Sequence, residues 1–248
     1  MYLTIDIGNS FIKFGFFESN ELLSTFSLPT LKSIASYKKP IEQKYLSLQG
    51  LGKKVEKIIV ASVVESLTKK IIKLLETIFE VKPLDFTYKS SSKFIFNNDN
   101  PSEVGDDLIA SYYGAKRLYG SNCVVVDLGT ATKISLILDG AFQGCLIFPG
   151  LDMQKKVFEE KLPHLDWGEK PTKNLVGKNT KDSIINGFYY ANIYGIRGIV
   201  AKILKTYPII EQVILSGGHS NTVKDYLNKY TFNPNLVLMG LNEVLRED

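Results

Sequence analysis

Cysteine is scarce in this 248-residue chain, which has two, Cys123 and Cys145. Both lie in apolar strand-like runs without CxxC spacing. That argues against a disulfide framework or a cysteine-ligated metal and for two reduced, buried thiols. A cytoplasmic setting is the matching expectation. No stretch reaches the roughly 18 apolar residues of a membrane span. The opening residues Met1 to Asp6 carry an acid where a signal peptide needs its apolar segment. The protein is therefore expected to be soluble and unexported. A dense block of one charge is also absent: the net charge of +4 comes from lysines scattered along the chain. This describes a solvated surface, so neither nucleic acid nor membrane is expected as a partner, whereas small anionic substrates stay compatible. There is no low-complexity segment. Hydrophobic residues at 44% and charged residues at 23% are those of a globular rather than a disordered chain.

What is present is organised around residues 3–15, Leu3 to Gly15. An apolar strand delivers Asp6 near its end, Gly8 and Asn9 supply a turn, and Phe11 to Phe17 reads as the returning strand. Amide groups in such a turn can cradle phosphate oxygens. Ser10 and Lys13 offer a hydroxyl and an ammonium beside it, and Asp6 can hold a hydrated divalent metal carried by a nucleotide. Taken alone, a Gly-Asn turn between strands is more often an ordinary hairpin. The pattern returns, however, at Cys123 to Ile137, which aligns with residues 2–16 without a gap. Asp127 matches Asp6, Gly129 matches Gly8 and Thr130 matches Asn9. Two such turns in register point to a shared ligand and to two similar domains. The length fits two units of about 120 residues, with domains expected at 1–119 and 120–248.

Periodicity fills in the rest. Strands are expected at 21–26, 55–64, 81–86, 141–148, 213–216 and 235–239, and helices at 66–79, 108–118, 150–162, 183–207 and 222–230. The polar segment 31–52, interrupted by Pro40, reads as a short helix and loops. Asp106 and Asp107 open a helix, where acids ordinarily complement the dipole. Asn179 or Thr180 caps the long helix that follows. Gly217 and Gly218 let the backbone approach a flat ligand or simply make a strand-to-helix turn. His219 reads as a surface residue in that turn.

With these pieces together, the chain resembles the type III pantothenate kinases of the acetate-kinase, sugar-kinase, Hsp70 and actin superfamily. The likeness is carried, in order, by DIGNS (6–10), ASVVES (61–66), NPSEVGDDL (100–108), DLGTATK (127–133), GCLIFPG (144–150), GKNT (177–180), LSGGHS (215–220) and LVLMGL (236–241). It implies an α/β fold of two ribonuclease-H-like domains with mixed sheets flanked by helices, with ATP in the cleft between them. It also implies phosphorylation of pantothenate on its terminal hydroxyl. By this resemblance Asp6, Gly8, Asn9, Ser10, Lys13 and Thr130 hold ATP phosphates with Mg2+, and Gly217 and Gly218 lie near the nucleoside. Asp127 helps bind a monovalent cation, K+ or NH4+. Asp107 is the general base, and Phe96, Gly105, Asp106, Asp107, Leu108 and Thr180 contact pantothenate. A homodimer is implied as well.

The sequence departs from the family pattern in the pocket and at the cation. Leu108 stands where the family has Arg, and Asp106 replaces a small neutral residue, which would cost an anionic substrate about 1.5–3 kcal/mol if a charged hydrogen bond is lost. Lys133 stands in place of Thr and Ser135 in place of Asp, so the Lys133 ammonium is read as partly standing in for the cation. Two other readings compete with a kinase: a non-catalytic regulatory relative that binds nucleotide, and an Hsp70-like or actin-like ATPase. The joint presence of Asp6, Asp107, Asp127 and Thr130 weighs against the first, and the lack of a peptide-binding domain or large insertion against the second.

Overall fold

Alternating apolar residues with polar turns build the first sheet. In the computed structural model, which describes residues 1–31, 33–49 and 54–247, strands β1 (Tyr2–Ile7), β2 (Phe11–Glu18) and β3 (Glu21–Pro29) form an antiparallel meander. Helix α1 (Ala35–Gln49) leads to β4 (Lys57–Ser62), which lies parallel to β1, and α2 (Glu65–Phe79) leads to the short β5 (Leu84–Asp85), parallel to β4. The strand order is β3-β2-β1-β4-β5. Leu3, Ile5 and Ile7 send their side chains to one face, where they pack with Phe14, Phe16 and the Leu67, Ile71 and Leu75 stripe of α2. Phe14 stacks on Phe26 with ring centroids 4.5 Å apart. Because strand side chains alternate, Thr4 and Asp6 belong to the opposite face.

The second sheet repeats this plan. Strands β6 (Cys123–Leu128), β7 (Ala131–Leu138) and β8 (Ala141–Pro149) form the meander. Helices α4 (Leu151–Lys161) and α5 (Thr180–Thr206) then lead to β9 (Gln212–Ser216), parallel to β6, and α6 (Ser220–Val223) leads to β10 (Thr231–Phe232). From the meander edge the order is β8-β7-β6-β9-β10, the same as in the first sheet. Asp139 and Gly140, both at positive φ, make the tight turn expected between β7 and β8. Val124, Val126 and Leu128 pack with Ile185, Phe188, Ile193 and Ile196 of α5.

The chain divides into a unit of Met1–Leu118 with Asn235–Asp248, and a unit of Tyr119–Pro234. Residues 235–248 thus do not stay with 120–234. The reason is the last helix, α7 (Leu236–Leu245), which packs on β1 and β4 in the first unit. The run 235–239 is therefore helical rather than a strand. Its nearly continuous apolar sequence is buried almost all round, with Leu236, Leu238 and Leu241 each at most 2% exposed, and so shows no one-sided helical period.

Other elements differ as well. The segment 31–52 contains one helix of 15 residues with Pro40 inside it; residues 32 and 50–52 lie outside the described residues. Helix α6 ends at Val223, and 224–230 continues as turns. The 81–86 strand shrinks to two residues. Cys123 is buried, and burial pushes its thiol up to about 12. Cys145 is exposed, because β8 is an edge strand whose residues 145–147 face out. Among the described residues, no helix is long and apolar enough to cross a membrane.

Candidate active site

The turn after β1 is tied down from β3. Gly8 N–H donates to the Phe11 carbonyl at 3.0 Å, Thr30 N–H to the Ser10 carbonyl at 2.9 Å, and the Thr30 hydroxyl to the Gly8 carbonyl at 2.7 Å. Asn9 and Ser10 are exposed on this fixed loop, and Asp6 is 8% exposed beside it. In the second unit, Gly129 N–H donates to the Ala131 carbonyl at 3.2 Å and Gly150 N–H to the Thr130 carbonyl at 3.1 Å, leaving Thr130 exposed. Thr30 and Gly150 each follow a proline, Pro29 or Pro149, paired with the first residue of the returning strand. Neither tie was singled out from sequence. The repeated proline-plus-one position at the end of each meander is the signal that marks it.

The register refines the repeat. Asp6 lies directly opposite Lys13, and Asp127 directly opposite Lys133. The second turn is one residue shorter, so the ungapped alignment slips by one beyond the turn and Lys133, not Ile134, is the counterpart of Lys13. Turn length sets hairpin register. Directly opposed residues share a face, so each unit sets an aspartate and a lysine side by side.

In the second unit this pairing closes. Lys133 Nζ is 3.1 Å from Asp127 Oδ2, with side chains only 13% and 10% exposed. Gly217, at φ +88°, abuts the other carboxylate oxygen: a Cβ there would strike Asp127 Oδ1 and the Leu128 backbone. His219 N–H donates to the Leu128 carbonyl at 2.9 Å, holding this turn against the end of β6. Above Gly218, which is exposed, a Cβ would meet open space. A flat ligand can therefore approach that backbone closely. His219 is half-buried, its Nε2 2.9 Å from Asp152 Oδ2.

The start of α3 (Asp106–Tyr119) forms a third cluster, in the first unit. A single turn at Pro101–Glu103, capped by Asn100, delivers the chain to Gly105, whose carbonyl accepts the Ile109 N–H at 3.1 Å. Asp107 Oδ1 accepts the Leu108 N–H at 2.7 Å, and a Cβ on Gly105 would sit 3.0 Å from that oxygen. Asp106 turns the other way, accepting a long 3.5 Å bond from Ser62 N–H. Burial pushes its acid up to about 6; the Ser62 amide opposes this, and Asp85 and Asp107 add repulsion. Leu108 is 6% exposed and has little surface to offer a ligand.

Phe96 packs edge-on to Phe94 and tilted against Tyr112, 5.9 Å from the latter ring. The basic side chains further along α3 are engaged locally: Arg117 pairs with Glu243 at 3.2 Å, and Lys116 donates to the Lys93 carbonyl at 3.1 Å. Thr180 lies in the second unit, exposed at the first turn of α5. There Asn179 rather than Thr180 is the cap, its Oδ1 accepting Asp182 N–H at 2.8 Å. Thr180 also lines a cavity of about 910 Å³ with Pro149, Met153, Val157, Phe158 and Asn179.

A five-strand sheet of one order built twice, with an acid at the end of each first strand and a glycine turn after it, is an α/β arrangement shared with the fold of actin-like ATPases and sugar kinases. Solved structures agree on this fold. A Campylobacter jejuni protein described as a Baf family transcriptional activator superposes with TM-score 0.64 at 21% identity, covering 99% of this chain and 98% of that one. A ROK family glucokinase from Streptomyces griseus, in complex with glucose and AMPPNP, gives 0.53 at 14%, covering 99% and 100%.

Sequence narrows the class. The family model of the type III pantothenate kinases matches residues 2–202. The type III pantothenate kinase of Sulfurihydrogenibium sp. is 31% identical over 253 residues, covering 97% of this chain and 98% of that protein. The chain belongs to the type III pantothenate kinase family.

Proposed function

We propose that this protein phosphorylates pantothenate with ATP to give 4′-phosphopantothenate, the first step of coenzyme A biosynthesis, with Asp107 as the base. Family membership over the matched residues carries the reaction, and the single observation that carries the base is the Asp107 carboxylate, held at the first turn of α3 by the Leu108 amide. Phosphoryl transfer passes through a loose transition state, so the protein mainly positions reactants and spreads charge. An ordinary carboxylate at a helix N-terminus suffices to collect the acceptor hydroxyl's proton.

Each tied turn, taken within its own unit, fits phosphate oxygens. The turns offer exposed Asn9, Ser10 and Thr130 with fixed backbone, while Lys13 supplies an ammonium and Asp6 a carboxylate for Mg2+ carried by ATP. The open face above Gly218 fits the nucleoside. Bound ATP supplies the phosphoryl group; every other part of the reading rests on this chain's residues. In the first unit, pantothenate is assigned to Phe96, Gly105, Asp106 and Asp107, beside the buried Leu108; in the second unit, Thr180 is assigned to it separately.

The reading includes a homodimer in the cytoplasm. Supporting it, Leu146, Ile147, Met153, Val157 and Val176 of the second unit are 40–76% exposed, apolar side chains of the kind that a second copy covers. Two free thiols fit a reducing compartment.

ADP release measured with and without pantothenate tests the assignment. Turnover is expected only with pantothenate, and Asp107→Asn is expected to bind ATP normally while losing about 10²- to 10⁴-fold in rate. Pantothenate-independent ATP turnover would mark an ATPase instead, and no turnover a binding protein. A near-normal rate in the variant would remove Asp107 from the role of base.

A further inference from the structure

We infer that Lys133 is a built-in monovalent cation, so that this chain holds charge at Asp127 without potassium or ammonium from solution. The observation is the ion pair in the second unit: Lys133 Nζ lies 3.1 Å from Asp127 Oδ2, with both side chains about nine-tenths buried. The pairing is written into the fold, since the two residues are exact cross-strand partners of β6 and β7 and share a face. The other carboxylate oxygen of Asp127, Oδ1, is flanked by the Gly217 backbone rather than by open space, and even a methyl group at Gly217 would collide with it.

A carboxylate this buried needs a positive partner. An ammonium on a four-carbon stem is a compact point charge of the same kind as a small monovalent cation, and being covalently attached it does not dissociate. A free cation at the same oxygen would face the Lys133 ammonium at close range, where like charges repel. Asp127 and its surroundings therefore do not fit an added K+ or NH4+, and the expectation that Asp127 binds one is replaced by the tethered ammonium. The turn that carries Thr130 starts two residues after Asp127, so the charge acts beside one of the loops assigned to phosphate. The inference deepens the kinase reading and rests on it for its catalytic arm.

The test compares the full-length protein and Lys133→Thr in potassium chloride and in tetramethylammonium chloride at equal ionic strength. The unmodified protein is expected to show the same pantothenate-dependent rate and the same melting temperature in both salts. Lys133→Thr is expected to lose on the order of 100-fold in rate in tetramethylammonium, to recover in potassium, and to melt higher in potassium than in tetramethylammonium. If Lys133→Thr does not fold, Lys133→Met, which keeps the stem and removes the charge, takes its place.

A potassium-specific rise in rate or melting temperature of the unmodified protein would overturn the inference. So would a folded charge-free variant indifferent to potassium. Absence of turnover in every salt would defeat the kinase reading alone, because the melting-temperature arm still reports whether the site takes a cation.

Discussion

At the scale of single residues, the neighbouring acids Asp106 and Asp107 have different hydrogen-bond partners. Asp107 receives a backbone amide at 2.7 Å, whereas Asp106 is half-buried, with one long bond and two acidic neighbours. Its acid rises from the ordinary 3.8 to about 6. The folded protein then binds more protons than the unfolded chain between those values. Asp106 accordingly costs no stability while protonated, and its penalty grows as pH rises from the lower value and is complete above the higher one. Asp106→Asn removes the penalty. It is expected to be more stable than the parent at pH 7.5 by about 1 kcal/mol, allowing for solvent screening of a partly exposed group. Near pH 4 the gain should vanish. Thermal unfolding of both proteins at the two pH values checks this, and an equal gain at both would show that the charge is not the cause. The two acids were legible in the sequence as a helix start. Their different environments were not, because Ser62 and Asp85 come from distant parts of the chain.

At the scale of elements, turns and strands were readable because their chemistry is local. The alternation of Leu3, Ile5 and Ile7 with Thr4 and Asp6 specifies a strand with two unlike faces, and Gly8 or Gly129 marks where it reverses. The Thr30 tie and the one-residue difference between the turns depend on what the returning strands pair with, and only the fold displays that. Helix α7 likewise takes its form from contacts distant in the sequence. It crosses α3 so closely that Gly114 and Gly240 face each other: a Cβ on Gly114 would come within 3.0 Å of Gly240 N and within 2.8 Å of the Leu236 carbonyl, and one on Gly240 would overlap the Ala110 carbonyl. Backbone meets backbone there, so no flexible side chain can yield. Gly240→Ala is expected to cost about 1–3 kcal/mol or more, the scale of overpacking a filled interior. Gly187→Ala, in α5 where nothing lies within 4 Å of the added carbon, is the control and should be neutral or mildly stabilising. Chemical denaturation of the two variants would contradict the close-crossing account if they were equally stable.

At the scale of the whole molecule, the repeated sheet order explains why two short motifs 121 residues apart (127 − 6) carry matching acids and glycines: each is the first hairpin of the same five-strand plan. The duplication was visible in the sequence, but the return of the last segment to the first unit was not, since a run such as Leu236 to Leu241 gives no sign of which sheet it covers. That return makes α7 part of the first unit's core. Leu236, Val237, Leu238, Leu241, Val244 and Leu245 are each at most 9% exposed. The helix is further fastened by Asn242 Nδ2 donating to the Ser19 carbonyl at 2.8 Å and Lys57 Nζ to the Leu245 carbonyl at 3.1 Å. Burying six such side chains is worth roughly 9–18 kcal/mol at about 1.5–3 kcal/mol each. This is an upper bound, yet it is comparable with the whole net stability of a typical domain, about 5–15 kcal/mol. A chain ending at Pro234 is therefore expected to lose the cooperative unfolding of its first unit and to bind a hydrophobic dye, although every residue assigned to catalysis and to ATP remains in it. Calorimetry beside dye binding decides the matter: a truncated protein that melts like the full chain would mean that α7 covers the sheet without holding it together.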